Sequence, residues 1–146
     1  ALMKVIEAKP EIISHNVDTV PRLYPKLRPD ASYKRSLRGV IENIGKNTSQ
    51  VYIKSGLMLG LGEKRSEVKE TLEDLRRVKC DIITLGQYLQ PGKQYKPVQE
   101  YIPPEEFAEY KEIAYELGFK YVSAGPFVRS SYNAGEVLAE LSSRTC

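Results

Sequence analysis

With 146 residues, 41% of them hydrophobic and 28% charged, the chain has the length and balance of one globular domain, and no shift in composition divides it in two. A net charge of +3 is too small to point to nucleic acid, no apolar run approaches the roughly 20 residues that span a bilayer, and no charged-then-apolar leader precedes the first strand. Two cysteines, Cys80 and Cys146, lie too far apart in sequence to suggest a disulfide framework or a cysteine metal site built from this chain alone.

Residues 1–8 carry Leu2, Val5 and Ile6 at helical spacing without an N-cap, as at the end of a helix that began earlier. Residues 11–13 read as a short strand, followed by the polar cluster Ser14, His15, Asn16. Pro21, Pro25 and Pro29 exclude a continuous helix after it. Arg22, Lys26, Arg28, Lys34, Arg35 and Arg38 share this region with Asp30 as the lone acid between them. Such a segment can steer an acidic partner, or be an ordinary solvated face. From Ser32, a plausible N-cap, Leu37, Val40, Ile41 and Ile44 repeat as one helical stripe that stops near Gly45.

Residues 51–63, VYIKSGLMLGLGE, open as a buried strand and then break into glycines. Gly56, Gly60 and Gly62 are expected at or beyond the strand's carboxyl end, where ligands sit in parallel α/β folds. A dinucleotide fingerprint fails because Arg65 stands at its third glycine, and a phosphate loop fails because Glu63 follows Gly62. Ser66 is the expected cap of the next helix, with Val68, Leu72 and Leu75 inward and Arg76, Arg77 and Lys79 at its end. A strand over 81–85 runs into Gly86, Gln87 and Tyr88. A loop without period covers 90–102, where Tyr95 and Tyr101, with Tyr88, read as packing residues. Pro104 opens a third helix with Phe107, Tyr110, Ala114 and Leu117 inward and Gly118 at its stop. A strand over 120–123 leads to Arg129, Ser130, Ser131 and Tyr132, and a short helix over 137–141 follows.

Four strands alternating with helices predict right-handed crossovers and a parallel sheet in a (β/α)-barrel rhythm. Four strands cannot close a barrel. The expected fold is therefore α/β, a partial (β/α) barrel over 1–146 with a tail from 124 onward, and a piece of a larger protein. The polar clusters all follow strands, so they collect on one face, which is where barrel enzymes place their sites. Each has a plain reading as well. His15 is the lone histidine and can be structural; Asn16 and Asp18 can be turn residues or grip hydroxyls or an amine. Arg35 can be a surface charge or a carboxylate clamp, and Lys54 can snorkel from its strand or meet substrate.

Taken in order, the stretches HNVDTVPRL (15–23), KSGLMLGLGE (54–63), LGQYLQP (85–91) and GPFVRSSY (125–132) resemble the successive blocks of the lipoyl synthase family, and the likeness covers essentially the whole chain. The second block carries the Gly, apolar, Gly, Glu pattern that supports adenine in radical S-adenosylmethionine enzymes. The resemblance implies the C-terminal half of a radical S-adenosylmethionine half barrel. It further implies an enzyme that inserts two sulfur atoms at carbons 6 and 8 of an octanoyl group borne on a lysine of a lipoyl domain or glycine-cleavage carrier protein. One [4Fe–4S] cluster cleaves S-adenosyl-L-methionine, a second is consumed as the sulfur source, and a ferredoxin or flavodoxin supplies electrons. By the same resemblance Ser130 ligates the second cluster with Arg129 in support. Asn16 and Asp18 lie near the ribose or amino group of S-adenosylmethionine and Met58 near its adenine, while Arg35, Lys54, Gly56, Gly60, Glu63, Gln87 and Tyr88 belong to the same cofactor site.

Two departures from the family pattern matter. Glutamate is usual where Asp18 stands, and both cysteine triplets that hold the clusters are absent. The chain alone is accordingly expected to be inactive. A cytoplasmic location, or a mitochondrial matrix or plastid one, goes with the family. The competing reading is a non-catalytic half barrel that docks an acidic carrier domain and completes the site of a separate cluster-bearing chain.

Overall fold

A computed structural model describes residues 11–27, 32–44 and 51–129. The expected helices over 1–8 and 137–141, and the residues from Ser130 onward, lie outside the described residues.

Four parallel strands, β1 (Glu11–Ser14), β2 (Val51–Leu59), β3 (Ile82–Gln87) and β4 (Tyr121–Gly125), pair in the order β1-β2-β3-β4. Every crossover thus steps one strand in the same direction, as in an unclosed barrel wall. Before β2 come a 3-10 turn (Pro21–Leu23), the single-turn helix α1 (Tyr24–Leu27) and α2 (Tyr33–Ile44); α3 (Arg65–Arg77) and α4 (Pro104–Leu117) connect the later strands. Pro21 and Pro25 are compatible with this short helical passage because each sits in the first turn of its element, where a missing N–H costs nothing.

Strand side chains alternate between faces. Ile53, Leu57 and Leu59 of β2, Ile83 and Leu85 of β3 and Val122 of β4 join Val68, Leu72, Leu75, Phe107, Tyr110 and Ala114 from α3 and α4 in one buried core. Among the described residues, the opposite face carries a small apolar cluster at its lower end, Ile82 with Ile12, Tyr52 and Tyr121. One face of the sheet therefore builds the domain. The other is left for a site.

Helix ends follow the chemistry of their caps. Ser32 Oγ accepts the Arg35 N–H at 3.1 Å, as its position suggested. Pro104 opens α4, and Gly118 closes it at φ +107, its amide and that of Phe119 reaching back to Tyr115 and Ala114 carbonyls at 3.1 and 3.2 Å. Ser66 is not the cap of α3. The helix starts two residues earlier than that cap would set, with Lys64 as N-cap, because the Glu67 carboxylate reaches back to the Lys64 N–H at 2.8 Å; Ser66 is exposed in the first turn.

At the other end of α3, Lys79 takes φ +65 while the Cys80 amide bonds the Leu75 carbonyl at 2.9 Å, the closing geometry that glycine usually supplies. Lys79→Gly in the full-length protein should raise stability by about 0.5–1 kcal/mol, since relief of left-handed strain outweighs the added freedom of the unfolded chain. A denaturant midpoint that falls would contradict this.

Candidate functional site

The site grows from the way β1 continues past its last residue. The His15 amide bonds the Lys54 carbonyl at 2.9 Å, the Asp18 amide bonds the Gly56 carbonyl at 2.9 Å, and the Met58 amide bonds the Asp18 carbonyl at 2.8 Å. Residues 15–18 thus run beside β2 as a loosened edge, with buried Val17 anchored on the Ser55 hydroxyl at 3.2 Å. Asp18 makes this possible by adopting φ +69, a left-handed conformation that aspartate tolerates better than most residues. Strain of this kind concentrates at functional positions.

At the carboxyl end of the sheet lie two cavities that share Asp18, Met58 and Leu89. The first, about 250 Å³, is lined by Asn16, Asp18, Gly56, Met58, Thr84, Gly86, Gln87 and, at its rim, Val128 and Arg129. Gly56 lies within β2, not at its end, because β2 keeps pairing with β3 through to Leu59 and, on its other side, bridges Asp18 at Leu57. Its lack of a side chain still matters. A Cβ there would stand 2.7 Å from Thr84 Oγ1 and 3.1 Å from Asn16 Oδ1, filling the cavity floor. Asn16 Oδ1 is buried with no hydrogen-bond partner, an acceptor held ready for a donor. Together with the Asp18 carboxylate it makes this cavity suited to a ligand that carries N–H or O–H donors and positive charge.

The second cavity, about 380 Å³, lies between Leu61 and the loop after β3, walled by Tyr88, Leu89, Pro91 and Tyr95, with Thr19 and Lys96 among its polar groups. Thr19 is 1% exposed and its Oγ1 also has no partner. Met58, 37% exposed, presents a polarizable apolar surface between the two cavities.

Glu63, Gln87 and Gly60 shape this region by holding backbone. The Glu63 carboxylate accepts the Gly60 and Leu61 N–H groups at 3.0 Å each, and burial pushes its carboxyl up against the opposing pull of those donors. The Gln87 amide donates to the Tyr88 and Glu100 carbonyls at 3.0 Å and accepts the Ile102 N–H at 2.9 Å. Gly60 adopts φ +99, and its carbonyl takes the Gln99 amide at 2.8 Å and the Glu100 amide at 3.2 Å. The aperiodic loop is thereby clamped onto the turn after β2. Tyr88 is buried and donates its hydroxyl to the Lys96 carbonyl at 2.6 Å, which fixes the loop's first half. Tyr95 and Tyr101 depart from the expected loop packing, being 52% and 71% exposed, because the loop's polar clamps hold it without them.

The remaining candidates sit apart from the cavities. Lys54 is buried on the same face as Gly56, one step lower, and desolvation pulls its ammonium below the usual lysine range. Arg35 is exposed on the first turn of α2. His15 packs its ring against Gly39 of α2, where a Cβ would come within 2.6 Å of the ring, in keeping with the structural reading of a lone histidine. Ser130 lies outside the described residues. Arg22, counted above with a basic segment, instead forms a two-pronged pair with Glu67 at 2.8 and 3.0 Å and bonds the Gly62 carbonyl at 2.8 Å. Thr84 and Thr19 were not foreseen. Thr84 was legible as the residue two before Gly86 on one strand; for Thr19 the sequence offers no signal.

No family model matches the chain. It is similar over 136 residues, at 56% identity, to a lipoyl synthase of Caldicellulosiruptor saccharolyticus, covering 93% of this chain and 47% of that protein. A lipoyl synthase of Caldicellulosiruptor bescii is 52% identical over 134 residues, covering 92% of the chain and 46% of the relative. One from Caldanaerobacter subterraneus subsp. tengcongensis is 51% identical over 134 residues, 92% and 47% respectively. The chain spans about half the length of the curated relatives it matches, and it belongs to the lipoyl synthase family.

Proposed function

We propose that this chain is the C-terminal part of a sulfurtransferase that inserts two sulfur atoms at carbons 6 and 8 of a protein-bound octanoyl group, and that its first cavity holds S-adenosyl-L-methionine. The observation that carries the cofactor assignment is the buried, unpartnered Asn16 Oδ1 beside Asp18 over a floor kept open by Gly56. S-adenosylmethionine brings an ammonium, a sulfonium and ribose hydroxyls. Asn16 would accept from the ammonium or a hydroxyl, Asp18 would oppose the positive charge, and Met58 would supply an apolar surface for the adenine. The chemistry that this cofactor supplies when bound is hydrogen-atom abstraction from the octanoyl chain. The protein's part is to orient it and to exclude water, which the clamped loop over 88–102 serves by walling the second cavity.

The iron–sulfur clusters find no such fit here. Among the described residues no group of three or more His, Cys, Asp and Glu could hold a metal ion. Cys80 is buried, its Sγ faces the Ile82 carbonyl at 3.3 Å, and burial pushes its thiol up to about 12, so it is an inert core residue. Of the cluster ligands, the cysteines are assigned to other parts of the full-length protein, and Ser130 of this chain, outside the described residues, to the second cluster with Arg129 in support. No described helix is long and apolar enough to cross a membrane.

The test is direct. Full-length protein with its clusters, S-adenosylmethionine, reduced ferredoxin or flavodoxin and an octanoylated lipoyl domain or glycine-cleavage carrier should give a carrier heavier by two sulfur atoms in its intact mass. A carrier that keeps its octanoyl mass while S-adenosylmethionine is turned over overturns the reading.

The carrier is proposed to approach the exposed Lys34, Arg35 and Arg38 of α2. Arg22 contributes little to that field, since Glu67 neutralises it. Replacing the three α2 cations with glutamine should slow carrier association by about tenfold at low salt and by less at high salt. Equal rates at low salt would move the docking face elsewhere.

A further inference from the structure

After β4 the chain does not leave the sheet. The Val128 amide bonds the Gly125 carbonyl at 3.2 Å, closing a tight turn, and residues 126–129 fold back over the second face of the sheet. Arg129 Nη1 caps this strap by donating to the Val128 carbonyl at 2.8 Å. Beneath it, Gly86 of β3 pairs with Gly125 of β4 on one side and Met58 of β2 on the other. A Cβ built on Gly86 would overlap the Val128 carbonyl oxygen, stand 3.2 Å from its carbon and come within 3.7 Å of Arg129 Nη1. Gly86 has an ordinary strand conformation, so backbone freedom is not why glycine is here. The need is space for another stretch of main chain.

We infer that Gly86 is a positioning residue, the seat that lets the strap over 126–129 lie flat and form one wall of the first cavity. The inference rests on the assignment of that cavity to S-adenosylmethionine and adds a specific means by which the end of this half barrel completes it. Both Val128 and Arg129 line the cavity together with Gly86, so raising the strap widens the cavity at the rim opposite Asn16 and Asp18.

The experiment uses the full-length protein with its clusters and S-adenosylmethionine as the probe. Gly86→Ala should raise amide hydrogen exchange in the peptide over 126–129 and weaken S-adenosylmethionine binding by about tenfold, or about 1.4 kcal/mol. Gly125→Ala is the control: its Cβ would meet Val128 Cγ2 at an ordinary 3.7 Å, so exchange and affinity should stay near those of the parent. Pro126→Gly loosens the strap without adding an atom to the sheet, and it decides the matter if Gly86→Ala does not fold. It too should weaken binding. Failure of the parent protein to bind S-adenosylmethionine would defeat the cavity assignment itself. A parent that binds, with a folded Gly86→Ala variant of equal affinity or with a mobile strap in Pro126→Gly that leaves affinity unchanged, would overturn the seat.

Discussion

Gly60→Ala should lower the stability of the full-length protein by about 3 kcal/mol and loosen the loop over 88–102. The cost has two sources that add at one atom. Gly60 has φ +99, a conformation that costs an L residue roughly 1–2 kcal/mol. Its Cβ would also overlap Gln87 Nε2 and the Glu100 carbonyl oxygen, two groups already bonded to each other, and overpacking of that kind costs roughly 1–3 kcal/mol. Moving the Gln87 amide aside breaks its bonds to Tyr88, Glu100 and Ile102 together. Gly62→Ala separates the two sources. Gly62 has φ +109, yet its Cβ would approach nothing nearer than Gln99 Cγ at 3.8 Å, so that substitution should cost only about 1 kcal/mol. Thermal midpoints would read the difference, and hydrogen exchange over 87–102 should rise only for Gly60→Ala. Equal losses for the two variants would mean that the loop is not clamped at Gly60.

The same clamp marks the limit of what the sequence could tell. The β/α rhythm was legible because each element announces itself within a few residues: β2 and β3 as apolar runs, α4 as an apolar stripe between Pro104 and Gly118. The four-stranded parallel order followed from that alternation. Gln87 and Glu63 were recognisable as belonging to the ligand-bearing end of the sheet, but not as backbone braces. Gln87 bonds Glu100 and Ile102 across a loop without period, and no local pattern encodes that return. Arg22 looked like part of an unbalanced basic segment because its partner, Glu67, is 45 residues away. Asn16 and Asp18 were legible as polar residues after a strand. The pairing of Asp18 along β2 through Gly56 and Met58 was not, since it uses main-chain groups that every residue carries.

That main-chain pairing makes Asp18 a clean place to test the cofactor cavity. Asp18→Asn should weaken S-adenosylmethionine binding by about 30-fold, the equivalent of about 2 kcal/mol for removing one charge from a partly enclosed charged contact. The fold should survive, because asparagine also populates the left-handed region and the bonds from the Asp18 amide and to its carbonyl do not involve the side chain. Alanine is a poorer choice, since it adds strain at φ +69 and confounds shape with charge. The salt response supplies a second reading. Binding by the parent protein should weaken as ionic strength rises, whereas the Asp18→Asn variant should respond less, because the charge being screened is gone. Asp18→Glu keeps the charge on a longer stem and resembles the residue usual in the family at this position. It should bind within a few-fold of the parent while losing about 1 kcal/mol of stability to the left-handed backbone. The three variants therefore separate charge from conformation: affinity should follow charge, and stability should follow tolerance of the backbone. If Asp18→Asn binds S-adenosylmethionine as tightly as the parent and with the same salt dependence, the positive end of the cofactor does not face Asp18.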